Sequence, residues 1–598
     1  MTTPQPATIQ AGLDPSPIQR KKMFGWYDPG PLLRTAVDVA FSTIFGRHAD
    51  HRLIEAITPL QTQPYFDYSS EHHTGPDGGV VPILESARAE IWIDYVADVG
   101  DGWDSTYAIA YCLSQHLTLV DPKGKEHATQ RGAILVMGGD EVYPTASREQ
   151  YQSRLVQPYE AALKRTDPPH PHLFVIPGNH DWYDSLASFT RMFCARRWFA
   201  GWKTRQDRSY FALKLPQGWW LLGTDVQLAS EIDDAQVSFF RNIAECEMKD
   251  GDRVILCNAE PHWIYAHIYG KSDSDYDESN LAYLENKILK RRISVFLAGD
   301  LHHYRRHEAE DHTQKVTAGG GGAFLHPTHG PTVDVLTEGE AELRTAVPPR
   351  RFKLQKAFPP ANVSRALCWR NWVFAWLNPT FGGVTAILYL LTAWAVMAPL
   401  NAFGWDQKWK ALRQAIFAAM TTQAGALWIG LILLAIVLFT DTHSRLYRWI
   451  AGLSHGVAHL FAVFVLGWCA DRLFNISSLH SNQFPGAFAE WKLLGAAALI
   501  FAGGWIIGSE IMGAYLWISL NLFGRHQNEA FSSLRIPDYK NFLRLHIGNR
   551  GQLTIYPVGI ETVPRNWREV ATDGTTPRYV PDDGKATAPV LIEDPVEL

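Results

Sequence analysis

Between residues 381 and 523 the chain carries four apolar runs in succession, 381–400, 424–440, 449–470 and 493–523, each almost free of charge. Each approaches or exceeds the roughly 20 apolar residues that cross a bilayer as a helix. A water-soluble core could absorb one such helix as a buried element. Four in a row, beginning abruptly near residue 370, point instead to about four transmembrane helices over residues 371–525. This feature divides the chain, because its flanks must fold in water while its middle does not. A length of 598 residues also exceeds what one hydrophobic core organises, and leaves room for roughly three to four units.

Charge around the runs gives their orientation. Arg350, Arg351, Lys353, Lys356, Arg365 and Arg370 precede the first, and Arg525, Arg535, Lys540 and Arg544 follow the fourth. The loops between are poorer in Lys and Arg for their length, although Lys408, Lys410 and Arg413 weaken the contrast. The positive-inside bias places both termini in the cytoplasm and the chain as a multi-pass protein of the cell inner membrane. No secretory signal is expected, since Lys21-Lys22-Met23-Phe24-Gly25-Trp26 is broken at once by Asp28 and Pro29. Six cysteines without a CxxC pair suggest neither a zinc knuckle nor a disulfide framework. A net charge of −6 offers no electrostatic footprint for nucleic acid. Within the apolar half, Glu510 and the pair His455 and His459 stand out. A carboxylate at membrane depth marks function unless it lies at an interface or is hydrogen-bonded, for instance to one of those histidines.

From residue 91 to about 329, strand-like runs alternate with helical patterns at 106–117, 147–164, 234–248 and 279–290. That alternation predicts an α/β layered domain. Pro216-Gln217-Gly218 turns a two-stranded hairpin. An amphipathic stretch at 32–45 would cap a domain or lie on a membrane. Strand-like pieces return at 543–547 and 552–556.

Function sits where the strands end. Apolar runs close on Gly139-Asp140-Glu141, Gly178-Asn179-His180-Asp181, Glu260-Pro261-His262 and Gly299-Asp300-Leu301-His302-His303, and Asp98 lies earlier in Ala97-Asp98-Val99-Gly100-Asp101. Carboxylate, imidazole and amide oxygen delivered from several strand ends to one point are the donors that a pair of metal ions needs.

In their order these blocks resemble the calcineurin-like metallophosphoesterase superfamily, over about residues 90–330 and somewhat under half of the chain. The resemblance implies a four-layer α/β/β/α sandwich at 86–345. Around it the chain divides into an N-terminal extension (1–85), a basic linker (346–370), the transmembrane helices (371–525), a small C-terminal cytoplasmic segment (526–571) and a disordered tail (572–598). The resemblance also implies two divalent or trivalent metal ions, Mn, Fe or Zn. Asp98 would bind one ion, Asp140 would bridge both, and Asn179 and His262 would bind the second. Asp300 and His302 would contribute one ligand to each. His180, held by a carboxylate such as Asp181, would stay outside the metal shell, contact the phosphate and assist the leaving group.

The blocks depart from the usual pattern. The first is ordinarily Asp-x-His, and here Gly100 stands in the third place. Asp98-Val99-Gly100 with Gly139-Asp140-Glu141-Val142-Tyr143 resembles the purple acid phosphatase branch, where a tyrosine binds ferric iron. Tyr143 would then be a ligand; otherwise Asp101 fills the gap, or Tyr143 simply packs. The last block ordinarily begins Gly-His, and Asp300 shifts preference toward Mn or Fe. His303 leaves its register open, with His302 favoured. Arg305 and Arg306 would clamp a second phosphate or an anionic headgroup, or be paired structurally. The Gly319 to Gly322 run would form either a phosphate nest or a turn.

The function expected is hydrolysis of a phosphate mono- or diester by metal-activated hydroxide. Tethering to a lipid bilayer favours a lipid phosphate or lipid-linked diphosphate, and a soluble or cyclic nucleotide is the alternative substrate. A different class also fits, a membrane sensor or transporter with a regulatory or inactive phosphoesterase domain.

Overall fold

The computed structural model describes residues 18, 20–31, 65–74, 80–165, 170–226, 232–269, 279–330, 332–338, 350–397, 413, 417, 421–440, 444–475, 486–572, 575–582 and 588–598. The stretch at 32–45 and the basic Lys408 and Lys410 lie outside these. Among the described residues, two large sheets of nine strands each form the centre of a mixed α/β fold. In the first sheet β1 (Ile91–Val96), β2 (Ile134–Met137) and β3 (His172–Val175) run parallel. In the second, β4 (Arg253–Cys257) and β5 (Ile293–Ala298) are parallel, and β6 (Tyr304–Ala309) returns antiparallel to Gln314–Ala318.

Alternation along the strands sets the layers. Ile91, Ile93 and Tyr95 of β1 pack with Ile134 and Val136 of β2 and with Ile255, Val295 and Leu297 of the opposite sheet in one buried cluster. The outer face of the first sheet, through Val96, Leu135 and Met137, is covered by Tyr107, Ile109 and Leu113 of α1 (Trp103–Leu113). On the second sheet, Val254, Leu256 and Phe296 meet Val237 and Phe240 of α2 (Asp234–Asn242) and Trp263 and Ile264 of α3 (His262–Tyr269). The hairpin is present as Phe211–Lys214 paired with Trp219–Gly223.

The C-terminal segment is not a separate unit. β7 (Lys540–Ile547) pairs antiparallel with β1, and β8 (Leu553–Ile560) with β7, so both extend the first sheet. Arg544 and Asp94, both buried, join β7 to β1 at 2.7 Å. The expected disordered tail is a correction as well. Val590–Leu591 and Val596–Glu597 pair with β8, Leu591 and Ile592 are buried, and Glu593 takes a bidentate bond from Arg306. A tail with apolar residues to bury and a cation to meet orders itself against the sheet. The N-terminal extension joins too: Phe66–Asp67 adds to the second sheet, and the amide of Trp103 donates to the Lys21 carbonyl.

In the apolar half the helices include α4 (Pro379–Met397), α5 (Gln423–Phe439), α6 (Arg445–Phe474) and a helix at Gly486–Gly503 that continues through Gly504–Gly508 into α7 (Ser509–Phe523). Among the described residues, two helices are long and apolar enough to cross a membrane, Arg445–Phe474 and Glu490–Phe523, the second of which ends in α7. Ala361–Leu377 and Pro379–Ala395 qualify only together, across a 61° bend, and Gly425–Phe439 falls in a shorter class. The expectation of four spans is therefore met by two helices, or three with the bent pair. Proline at the start of α4 accounts for the bend, since its ring cannot continue the preceding helix. Leu427, Leu431, Leu434 and Leu438 of α5 are exposed, as are Trp449, Leu453, Val457 and Phe461 of α6. Glu510 accepts the Ala375 amide at 3.1 Å, not a histidine. His455 and His459 meet each other at 3.1 Å, and Tyr389 meets His459 at 2.8 Å.

Candidate metal centre

Asp98, Asp140 and Asp300 follow β1, β2 and β5, and all three hold left-handed backbone, with φ of 59°, 54° and 62°. That region costs a residue other than glycine about 1 kcal/mol or more, and persists where the surroundings over-determine it. Here the surroundings are cross-links between the islands. Asp98 Oδ2 accepts the Asp300 amide at 2.9 Å, and Asp140 Oδ1 accepts the His180 amide at 2.9 Å. The turns aim carboxylates from both sheets at one point.

At that point stands the hydroxyl of Tyr143, 2.9 Å from Asp98 Oδ1, 3.2 Å from Asp140 Oδ2 and 2.9 Å from His302 Nε2. His302 Nδ1 lies 2.7 Å from the Phe324 carbonyl, which only accepts, so the proton is on Nδ1 and the lone pair is on Nε2. A phenol has one proton to give, and three acceptors surround it. Burial, then the neighbouring Asp140 and Asp300 carboxylates, push Asp98 well above the usual carboxylate range. Burial, then Asp181 and Asp300, do the same to Asp140, and burial raises Asp300. Among the described residues no three His, Cys, Asp or Glu donors are drawn together at the spacing of a formed ion site. The donors nevertheless fit a cation: they are hard oxygens and one imidazole, short of protons for their mutual contacts.

Gly100 explains the absent histidine. Its φ is +38°, and a Cβ there would stand 2.2 Å from the Glu141 carbonyl oxygen, so no side chain fits. Asp101 does not fill the gap, because its Oδ1 accepts the Phe24 amide at 2.7 Å and faces Arg154 at 3.7 Å. In the glycine run the amides of Gly319 and Gly321 donate to the His303 and Ala97 carbonyls, which takes them from a phosphate nest. The run packs backbone against the first island, and a Cβ on Gly319 would lie 2.4 Å from Asp98 Oδ2.

His180 borders the cluster, its ring 4.4 Å from that of Tyr143. Its Nδ1 lies 2.6 Å from the Pro144 carbonyl, and burial lowers its pKa to about 4, so the ring is neutral with Nε2 as acceptor. Asp181 does not hold it, contrary to expectation. That carboxylate accepts the amides of Gly178 and Glu141 at 2.9 and 3.1 Å and the Tyr151 hydroxyl, which fixes the loop rather than the imidazole. Asn179 adjoins through Tyr183, donating to its hydroxyl at 3.2 Å. His262 is directed elsewhere, with Nε2 3.2 Å from Glu285 and Nδ1 3.3 Å from Asn258 Nδ2. Arg306 is taken by Glu593, Glu308 and Gln314 and cannot clamp a substrate as placed, whereas Arg305 donates to the Thr328 carbonyl at 3.1 Å and lines a cavity beside Asp300.

Sequence reading missed several participants. Glu260, two residues before His262, is close enough for its charge to help hold the phenols of Tyr183 and Tyr265 protonated, after burial, then Asp140 and Asp300 for Tyr183 and Asp300 for Tyr265. Tyr265 donates to Asp300. Lys540, at the start of β7, is buried with Nζ 2.5 Å from the Ala323 carbonyl, and burial brings its pKa to about 8 against the pull of Asp538, Asp101 and Asp98. Trp26 packs edge-on against His180 at 5.9 Å. The acidic Glu260-Pro261 turn was visible; nothing local marked Trp26 or Lys540.

No protein-family model matches the chain, and no curated protein does. Among solved structures, GAP50, the anchor in the inner membrane complex of Plasmodium, is similar at 10% identity and a TM-score of 0.30, over 46% of this chain and 93% of that one. The purple acid phosphatase PPD1 from yellow lupin (Lupinus luteus) seeds is similar at 14% identity and a TM-score of 0.28, over 42% of this chain and 50% of that one. At such scores neither likeness bears on metal, substrate or partner.

Proposed function

We propose that this chain is a metal-dependent phosphohydrolase of the metallophosphoesterase kind, anchored by about four helices in the inner membrane with its α/β/β/α sandwich and both termini cytoplasmic. The observation that carries this reading is that two left-handed strand-end aspartates, Asp98 and Asp140, meet at one phenol with the imidazole of His302, while a third, Asp300, is tied to Asp98 through its amide. Asp98, Asp140, Tyr143 and His302 would hold one ion and Asp140, Asn179 and Asp300 the other. Such ions, Mn, Fe or Zn, supply Lewis acidity that lowers the pKa of water and offsets charge on phosphoryl oxygens.

The chain supplies the rest. The Phe324 carbonyl fixes the His302 tautomer, and the Pro144 carbonyl fixes that of His180. His180 Nε2, unprotonated in the neutral ring, is thereby the nitrogen free to take a proton from water and pass it to the leaving oxygen of a phosphate ester. Trp26, Tyr143 and Tyr183 pack around its ring and limit water there. Lys540 places a cation behind Asp98 and Asp101, limiting repulsion within the acidic cluster. Glu510, His455 and His459 each have a partner inside the helices, so the sensor or transporter reading has no observation of its own.

The test is turnover. Metal-stripped full-length protein given Mn or Fe should hydrolyse an aryl phosphate or a bis-aryl phosphodiester, and Asp140→Asn should abolish it. A folded protein inert with every metal, or an active Asp140→Asn, would overturn the proposal.

A further inference from the structure

A cavity of about 280 Å³ opens from the acidic cluster toward the apolar helices. Its lining includes Tyr265, Asp300 and Arg305 from the α/β fold, and Phe439 at the end of α5 with Arg525 and His526 just past the end of α7. The cavity therefore touches both the candidate centre and the helix ends. Phe439, which lines it, is exposed, as are Leu438 and, just before the lining residue Gly524, Leu522 and Phe523.

Its lining is amphipathic in a particular way. Ile264, Ile268 and Leu301 give an apolar part, Arg305 and Arg525 two cations, and Asp300 and Glu529 two carboxylates. Arg305 is buried, and among the described residues its Nε–H has no hydrogen-bond partner; buried His326 lines the same space. Buried donors without partners cost stability unless a ligand meets them. An anion meets a guanidinium best, as a phosphate does. The volume lies just below the range of small-ligand pockets, roughly 300–1,000 Å³. That is room for a headgroup and not for acyl chains.

We propose that this cavity binds the phosphorylated headgroup of a membrane lipid, with Arg305 and Arg525 on the phosphate and the acyl chains left outside along the exposed ends of α5 and α7. Turnover of such a lipid rests on the phosphohydrolase reading; its binding does not. Arg305 and Arg525 come from different parts of the chain, so the headgroup would join a residue of β6 to the segment after α7. A soluble ester would have no use for the apolar mouth.

The test compares two esters and one probe on full-length protein in mixed micelles. Phosphatidic acid and its deacylated counterpart, glycerol 3-phosphate, are offered as substrates with metal, and binding of a fluorescent phosphatidic acid is followed by anisotropy without added metal. Expected are preference for the lipid and a lipid-to-aryl-phosphate ratio of kcat/KM that falls about tenfold or more in Arg525→Gln and in the cavity-filling Ile268→Trp. Probe binding should weaken about fivefold or more in Arg525→Gln. Equal kcat/KM for the lipid and glycerol 3-phosphate would assign the cavity to a soluble ester and overturn the proposal, as would an unchanged ratio in both variants. If no ester is hydrolysed, the phosphohydrolase reading falls, and binding alone decides: weakened in Arg525→Gln it upholds the cavity, unchanged it overturns it.

Discussion

Gly100 and Tyr143 show how one residue's absence is answered by another's reach. The backbone at Gly100 leaves 2.2 Å where a side chain would begin, and the Tyr143 hydroxyl arrives among Asp98, Asp140 and His302 from the next island. Tyr143→Phe in the iron-loaded protein should abolish a tyrosinate-to-iron absorption band; an unchanged visible spectrum would remove Tyr143 from the ligand set. His180→Ala should keep its metal and lose about 10²- to 10⁴-fold in kcat, and loss of metal instead would contradict a role outside the shell. The raised carboxyls of Asp98, Asp140 and Asp300 set a pH dependence. Above about pH 4 the unfolded chain has lost protons that the folded, metal-free site retains, so stability falls as pH rises through that window. Metal needs the ionised form, so the rise in melting temperature on adding Mn should be larger at pH 8 than at pH 5. A pH-independent rise would contradict the assignment, and Asp140→Asn should flatten the trend. The strand-end aspartates and His302 were legible because spacing after a strand fixes where a turn points. The orientations of His262 and Asp181 were not, because each is decided by a partner, Glu285 or the loop amides.

Among the elements, β7 and β8 are the instructive case. Their apolar pattern was readable as strands, but their place beside β1 was not, since pairing between residue 544 and residue 94 leaves no local trace in sequence. The tail misled for a related reason: its composition is polar, and its order comes from contacts made elsewhere. Glu593 accepts from Arg306 at 2.7 and 2.9 Å and from the Tyr304 hydroxyl at 2.6 Å, all largely shielded from water. Removing it leaves Arg306 with Glu308 and Gln314 alone and the Tyr304 hydroxyl without this acceptor, so Glu593→Ala should destabilise the sandwich by about 1–2 kcal/mol. Thermal unfolding in detergent would show it, and an unchanged midpoint would mean the tail is incidental.

For the whole molecule, the apolar half is an insertion into the α/β fold rather than an appendage to it. The chain leaves the second sheet, passes through the helices, and returns to complete the first. Leu543, Leu545 and Ile547 of β7 belong to the core between the sheets, so a chain ending at residue 525 should fail to fold, and a soluble, cooperatively unfolding product would contradict this topology. Hydropathy found the helices, while among the described residues two, or three with the bent pair, reach spanning length, since hydropathy cannot foresee a bend at Pro379 or a helix that stops at Phe439. The most direct test of a metal centre at the joined strand ends is metal content of the purified full-length protein after Mn, Fe or Zn supplementation. About two ions per chain are predicted in the wild type, with clear loss in Asp140→Asn. Folded wild-type protein that retains no metal, or Asp140→Asn that retains as much as wild type, would contradict it.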